Sequence, residues 1–332
     1  MNLVICGNGL DLHHGLKTSY PSYKCYLKKN AGCILDRFIN FPWIKQSNKH
    51  DLWTDVEQSL AFDYERMCSE LSRNYLSEYN NGDENAIVEL QTDLEDWTRF
   101  IYSFTGELFY QWLSSINPSA SKPDQMLEPL FSDSIIVTFN YTNTLESLYH
   151  ITPERILHIH GKLISVHDED CMSGIRWPLF KEIEEAEAYS GPVFESDKWN
   201  SSIIRQEIQF GAPTTKDIRC RIDSILKSCE DENICNTLLD FTQNTIKHLP
   251  RNIPALESFL GDKELSDIYI MGLSICGPDD YYFKHSFVPK YKECKWHLFF
   301  HGENEIEAEQ DRLAKQLFVK QYSIGSAEYL PW

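Results

Sequence analysis

Two short apolar runs in this chain end in side chains that could do acid–base work. Ser134-Ile135-Ile136-Val137-Thr138-Phe139 stops at Asn140, and Ile156-Leu157-His158-Ile159 stops at His160-Gly161. An asparagine fixed at a strand end can orient a water or a carboxamide. A histidine on the neighbouring strand can take a proton from a water or a hydroxyl. A third run, Leu3–Cys6, turns through Gly7-Asn8-Gly9 into a stretch that can begin a helix. Such a turn aims backbone N–H groups and the helix dipole at one spot, which suits a phosphate. The third glycine of the full dinucleotide fingerprint is absent, so a plain glycine turn is the competing reading. Asp11 in this turn can cap N–H groups but would repel a phosphate set directly on it. A ribose hydroxyl or a nicotinamide-like amide fits it better. A fourth run, Asp267–Met271, ends in Gly272-Leu273-Ser274.

Each of these residues also has a structural reading. A single histidine at a strand end is most often a hydrogen-bonding structural residue. Asn140 could cap the helix expected near Thr144. His158 is expected to face away from His160, in the core. Asp279 and Asp280 are read as starting the helix that contains Tyr282, with metal binding as the other option. His13 and His14 are adjacent and would be separated by about 100° on a helix, so one of them could face the site.

The elements that must position these residues follow from hydrophobic periodicity. Buried strands are expected at 3–6, 134–139, 156–160, 267–271 and 296–301, with a further strand at 202–210. Ile87, Leu90, Leu94, Trp97, Ile101, Phe104, Leu108 and Trp112 recur three and four apart, which predicts an amphipathic helix. Leu52–Tyr79 reads as its partner in a helical hairpin, and its aromatic stripe as core. Helices are also expected at 21–40, 144–150, 217–249 and 303–317, with Pro250 and Pro254 ending the third of these. Glu182–Glu187 reads as a solvated helix face. Strands that alternate with helices and end in Gly, Asn or Ser imply a parallel α/β sheet. The expected fold is α/β, a Rossmann-like parallel sheet flanked by helices and carrying large helical insertions. Its core lies at about 1–40, 129–164 and 263–320, with insertions at about 41–128 and 165–262. Ligands of such sheets sit beyond the carboxyl ends of the strands, so Gly7/Gly9, Asn140, His160 and Gly272/Ser274 should converge on one crevice.

Composition sets the bounds. At 332 residues, 42% of them hydrophobic, the chain can bury a core without disulfide or metal staples. Its ten cysteines include no C-x-x-C pair, which argues against a zinc ribbon and for reduced thiols in a cytoplasmic protein. The net charge of −19 opposes broad nucleic-acid binding. No apolar run approaches the roughly 20 residues that span a bilayer.

Gly7-Asn8-Gly9-Leu10-Asp11 with Gly15-Leu16-Lys17-Thr18-Ser19-Tyr20 resembles the opening signature of the AbiH family of bacteriophage abortive-infection proteins. Phe139–Glu146, His158-Ile159-His160-Gly161, and Gly272-Leu273-Ser274 with Asp279-Asp280 resemble its later blocks. That family in turn resembles a sirtuin-like NAD-binding core. Thr138-Phe139-Asn140 is similar to the sirtuin Thr-Gln-Asn, and His160-Gly161 to its His-Gly. Gly272-Leu273-Ser274 is similar to its later Gly-Thr-Ser. Asp11 and Thr142 depart from that pattern, and the sirtuin zinc cysteines are missing. The resemblance therefore implies a triggered NAD glycohydrolase rather than a protein deacylase.

On this reading Asn140 and His160 are catalytic. Gly7, Asn8, Gly9, Asp11, Thr18, Thr142, Gly272 and Ser274 hold NAD, and no metal is required. A phage-derived trigger is implied, the insertions would serve sensing or a homo-oligomer, and no membrane is involved. One alternative is a nucleotide-sensing module without catalysis. Another is a metal-dependent nuclease built on Asp11, Asp279 and Asp280.

Overall fold

A computed structural model describes residues 1–41, 81–83, 85–162, 212–213, 246–247, 249–275, 279–302 and 304–332, together with Trp53, Val56, Arg66, Glu70, Arg73 and Tyr75. The expected strand at 202–210, the acidic face at 182–187 and the helix at 217–249 lie outside these residues, as does most of 52–79.

The chain forms two compact units. The first comprises Met1–Tyr23, Ser115–Lys162 and His248–Trp332; the second comprises Lys24–Ser114 and Leu163–Lys247. The first unit holds a six-stranded sheet built from β1 (Asn2–Cys6), β2 (Ser134–Thr138), β3 (Ile156–His158), β6 (Asp267–Met271), β7 (Lys295–Phe300) and β8 (Ser326–Pro331). The intervening β4 (Ala212–Pro213) and β5 (Ile246–Lys247) form a separate parallel pair. Every neighbouring pair in the large sheet is parallel, in the order β3-β2-β1-β6-β7-β8. The sheet is thus the doubly wound Rossmann-like arrangement, with its switch point between β1 and β6.

Alternation along β1 explains why both faces are apolar. Leu3 and Ile5 join Ile135, Val137, Ile268 and Ile270 in one core, against the helix Leu249–Leu260 and the helical run Phe283–Tyr291. Val4 and Cys6 join Ile136, Ile156 and Met271 in the other, with Leu10, Phe131 and Leu145 packed on them. Strands buried on both sides read as continuous apolar runs, and this made β1, β2 and β6 legible.

Two expectations change. Pro250 and Pro254 do not end a helix; they lie within Leu249–Leu260. A proline in the first turn loses an N–H that has no helical partner in any case. The strand β8 was not anticipated. Among the described residues it pairs only with β7, and it alternates partly covered and exposed residues, as an edge strand closed by a proline can.

In the second unit the amphipathic stripe forms Asn85–Tyr102 and Leu108–Ser114, joined by a π-helical turn, Ser103–Glu107. Phe104 stacks on Phe38 at 4.2 Å and Phe100 stacks on Phe41 at 5.5 Å, so this stripe is core. Among the described residues no helix is long and apolar enough to cross a membrane.

Candidate functional site

Strand register brings the predicted residues to one level. Cys6 pairs with both Thr138 and Met271, and Thr138 pairs with His158. The ladder continues one residue further: Gly7 N–H donates to Met271 O at 3.1 Å, Phe139 N–H to Cys6 O at 2.9 Å, and Ile159 N–H to Thr138 O at 3.1 Å. Gly7, Asn140, His160 and Gly272 therefore all leave the same carboxyl edge of the sheet.

The glycine turn is closed on the protein itself. Gly9 N–H donates to Gly272 O at 2.7 Å, and Leu10 N–H donates to Gly7 O at 2.9 Å. A Cβ on Gly9 would lie 2.4 Å from the Gly272 Cα. These glycines let β1 and β6 touch at the switch point. The N–H groups of Gly7 and Gly9 are committed to the main chain.

Asn8 ties the turn to the following loop, its Nδ2 donating to Thr18 O at 3.1 Å. Thr18 is buried, and its hydroxyl has no hydrogen-bond partner among the described residues. Ser274 is exposed beyond Gly272.

Asp11 is 1% exposed. Thr142 Oγ1 donates to its Oδ2 and Thr144 Oγ1 to its Oδ1, each at 2.6 Å. Burial pushes its carboxyl pKa up, against the pull of the two hydroxyls, the His158 charge and a hydrogen bond from the Asn140 side chain. Asp11 thus recognises hydroxyls and an amide, as its chemistry suggested, but those groups belong to this chain. The neighbouring Cys6 thiol is pushed up to about 12, first by burial, which keeps it un-ionised and poorly nucleophilic.

Asn140 is buried, and its Oδ1 has no hydrogen-bond partner among the described residues. It does not cap the helix Thr144–Tyr149, whose N-cap position is Asn143. Its carbonyl oxygen instead meets His158 Nδ1 at 3.0 Å, while His158 Nε2 meets Glu146 Oε1 at 3.1 Å. Lys162 Nζ donates to the same Glu146 oxygen at 3.0 Å. His158 belongs to this polar network rather than to the apolar core.

Burial would raise the Glu146 pKa; His158 and Lys162 outweigh it and hold the carboxyl at about 2. A carboxyl depressed from 4.5 adds stability above that pH and loses it as pH falls through about 2. Glu146→Ala should leave His158 Nε2 and Lys162 Nζ without their shared acceptor and cost about 3 kcal/mol, read from denaturant melts at neutral pH. The deficit should shrink toward pH 2.

His160 is 1% exposed and lies among Phe139, Tyr141 and Tyr282. Its Nε2 is 3.2 Å from Asp279 Oδ1. Asp279 occupies the N-cap position of Asp280–Tyr282 but makes no side-chain cap bond. The capping reading of Asp279 is corrected: its carboxylate is a partner for histidine. Asp280 accepts from the Tyr322 hydroxyl. Asp11, Asp279 and Asp280 thus serve separate partners, and among the described residues no three His, Cys, Asp or Glu side chains are grouped to hold a metal. His13 Nε2 pairs with Asp124 Oδ2 at 2.8 Å and His14 Nε2 with the Tyr149 hydroxyl at 2.9 Å. Glu146, Lys162 and the Asp279–His160 pairing gave no local signal in the sequence.

Fold and site together define a class: a doubly wound parallel α/β protein with a buried polar site at the strand ends beside the switch point. A family model described as bacteriophage abortive infection AbiH matches residues 3–300, and the chain belongs to that family. Its role is therefore in abortive-infection defence against bacteriophage. No curated protein and no solved structure matches the chain.

Proposed function

We propose that the strand-end site binds NAD or a related nucleotide and, once triggered during phage infection, cleaves NAD to ADP-ribose and nicotinamide. The observation that carries this reading is the buried Asn140 Oδ1, an acceptor without a partner among the described residues, at the same sheet edge as the His160–Asp279 pair. An amide acceptor of this kind suits the N–H₂ of a carboxamide, and the cost of leaving it buried and unpaired is met when such a ligand binds.

Cleavage of the glycosidic bond passes through an oxocarbenium-like ribose, which needs a held sugar and an oriented nucleophile. Asp279 accepting from the Nε2–H of His160 selects the tautomer whose basic atom is Nδ1. His160 can then take a proton from the attacking water or a ribose hydroxyl. Asn8, Thr18 and Ser274 supply polar contacts, and Asp11 with Thr142 and Thr144 keeps Asn140 in place. The diphosphate is held by groups other than the N–H of Gly7 and Gly9, which are already bonded.

That same commitment favours a second reading, a nucleotide-sensing module without turnover. The two are separated by incubating the protein with NAD, with and without phage lysate, and following free nicotinamide. Release above the protein-free control supports the hydrolase; saturable binding with no release under any trigger supports the sensor.

A further inference from the structure

The turn that carries Asp279 is uncapped. Asp279 occupies the N-cap position of Asp280–Tyr282 without a side-chain cap bond, and a helix end of that kind frays. Its carboxylate nonetheless lies 3.2 Å from His160 Nε2. Two side chains from other helices tie the turn down. Tyr322, at the end of the helix Glu305–Tyr322, donates its hydroxyl proton to Asp280 Oδ1. Asn252, on the helix Leu249–Leu260, donates from Nδ2 to the Tyr282 hydroxyl at 2.9 Å.

Both ties bear on Asp279. Asp280 is its neighbour in the chain, and a helix sets it about 100° round from Asp279. Tyr282 is three residues on, which returns it to the side of Asp279. Its N–H donates to Asp279 O at 3.1 Å. Tyr282 is fully buried, and its ring centroid is 5.5 Å from that of His160. One turn thus gives Asp279 and Tyr282 to the imidazole and Asp280 to Tyr322.

We propose that Tyr322 and Asn252 are positioning residues of the strand-end site: acting through Asp280 and Tyr282, they hold the Asp279 carboxylate on His160. Their effect on rate rests on the hydrolase reading. Their effect on the His160–Asp279 hydrogen bond does not, because that bond needs no nucleotide. Tyr322→Phe is the sharpest substitution. It removes one oxygen and keeps the ring that packs on Phe318 at 5.0 Å.

The Nε2–H proton of His160 reports the bond directly. It can be followed by NMR in the full chain carrying isotope-labelled histidine, without nucleotide, and assigned by its loss in His160→Gln. Tyr322→Phe and Asn252→Ala should each speed its exchange with water at least about fivefold. Asp280→Asn keeps an acceptor for the tyrosine hydroxyl and drops the charge, so its exchange should stay within about twofold of wild type. In nicotinamide release, Tyr322→Phe should lower kcat about tenfold with KM little changed. Added to Asp279→Asn it should cost nothing more, since it acts through that carboxylate. Unchanged exchange in either Tyr322→Phe or Asn252→Ala, an Asp280→Asn proton as fast as that of Tyr322→Phe, or a further loss in the double variant would overturn the proposal. A wild type that releases no nicotinamide would remove the hydrolase alone, because the exchange rates still decide whether the two ties hold Asp279.

Discussion

His160→Ala is expected to lower nicotinamide release from NAD by about 10²–10⁴-fold while nucleotide affinity stays within a few-fold. The reason is the division of labour proposed for the strand ends. His160 sits where a proton must be taken, and Asn140 where the carboxamide is held. Asp279→Asn should retain folding but lose most of the rate, because an amide at that position can donate to His160 and favour the wrong tautomer. The two variants should also respond differently to pH. Removing the imidazole abolishes the limb of the pH–rate profile that reports its ionisation, and replacing Asp279 should shift that limb. A His160→Ala variant that releases nicotinamide as fast as wild type would remove the histidine from the mechanism. The fold assignment would stand.

Gly9→Ala and Gly272→Ala should each cost about 4 kcal/mol or more, or prevent folding. An added Cβ at Gly9 meets the Gly272 Cα at 2.4 Å, and one at Gly272 meets the Leu10 amide nitrogen at 2.5 Å. Both obstacles are main chain, which cannot swing aside as a flexible side chain can. Gly272 also has φ +58°, the left-handed region that favours glycine. Relief would require parting β1 from β6 at the centre of the sheet. Gly32→Ala is the control: nothing lies within 4 Å of its added Cβ, so its stability should change by less than about 1 kcal/mol. Denaturant melts of the three variants check this. A near-neutral Gly9→Ala would show that the turn is not closed on β6.

What the sequence disclosed follows from which signals are local. The central strands are buried on both faces, so they stand out as unbroken apolar runs, and parallel register then carries their ends to one edge. Asn140 and His160 were legible for that reason. The Asp279–His160 pairing spans 119 residues and the Asp11–Thr142 pairing 131, and neither leaves a spacing that a one-dimensional reading can detect. His158 is not a core residue: positions two apart in a strand share a face, so alternation does not separate it from His160. At the carboxyl end of β3 the apolar layer has run out, and Glu146 with Lys162 takes its place. The glycines at 7, 9 and 272 signalled close approach correctly. At Gly9 the group that approaches is the Gly272 main chain at the end of the adjacent strand, 263 residues away in sequence. The edge strand β8 was missed because its half-exposed alternation resembles a terminal loop.

Isothermal titration of NAD into the wild-type chain, repeated with Asn140→Ala of matched melting temperature, tests the proposed nucleotide site most directly. Saturable micromolar binding that weakens at least about tenfold when the buried amide acceptor is deleted is the expected result. No saturable heat with the wild type, or equal affinity in the two proteins, would contradict it.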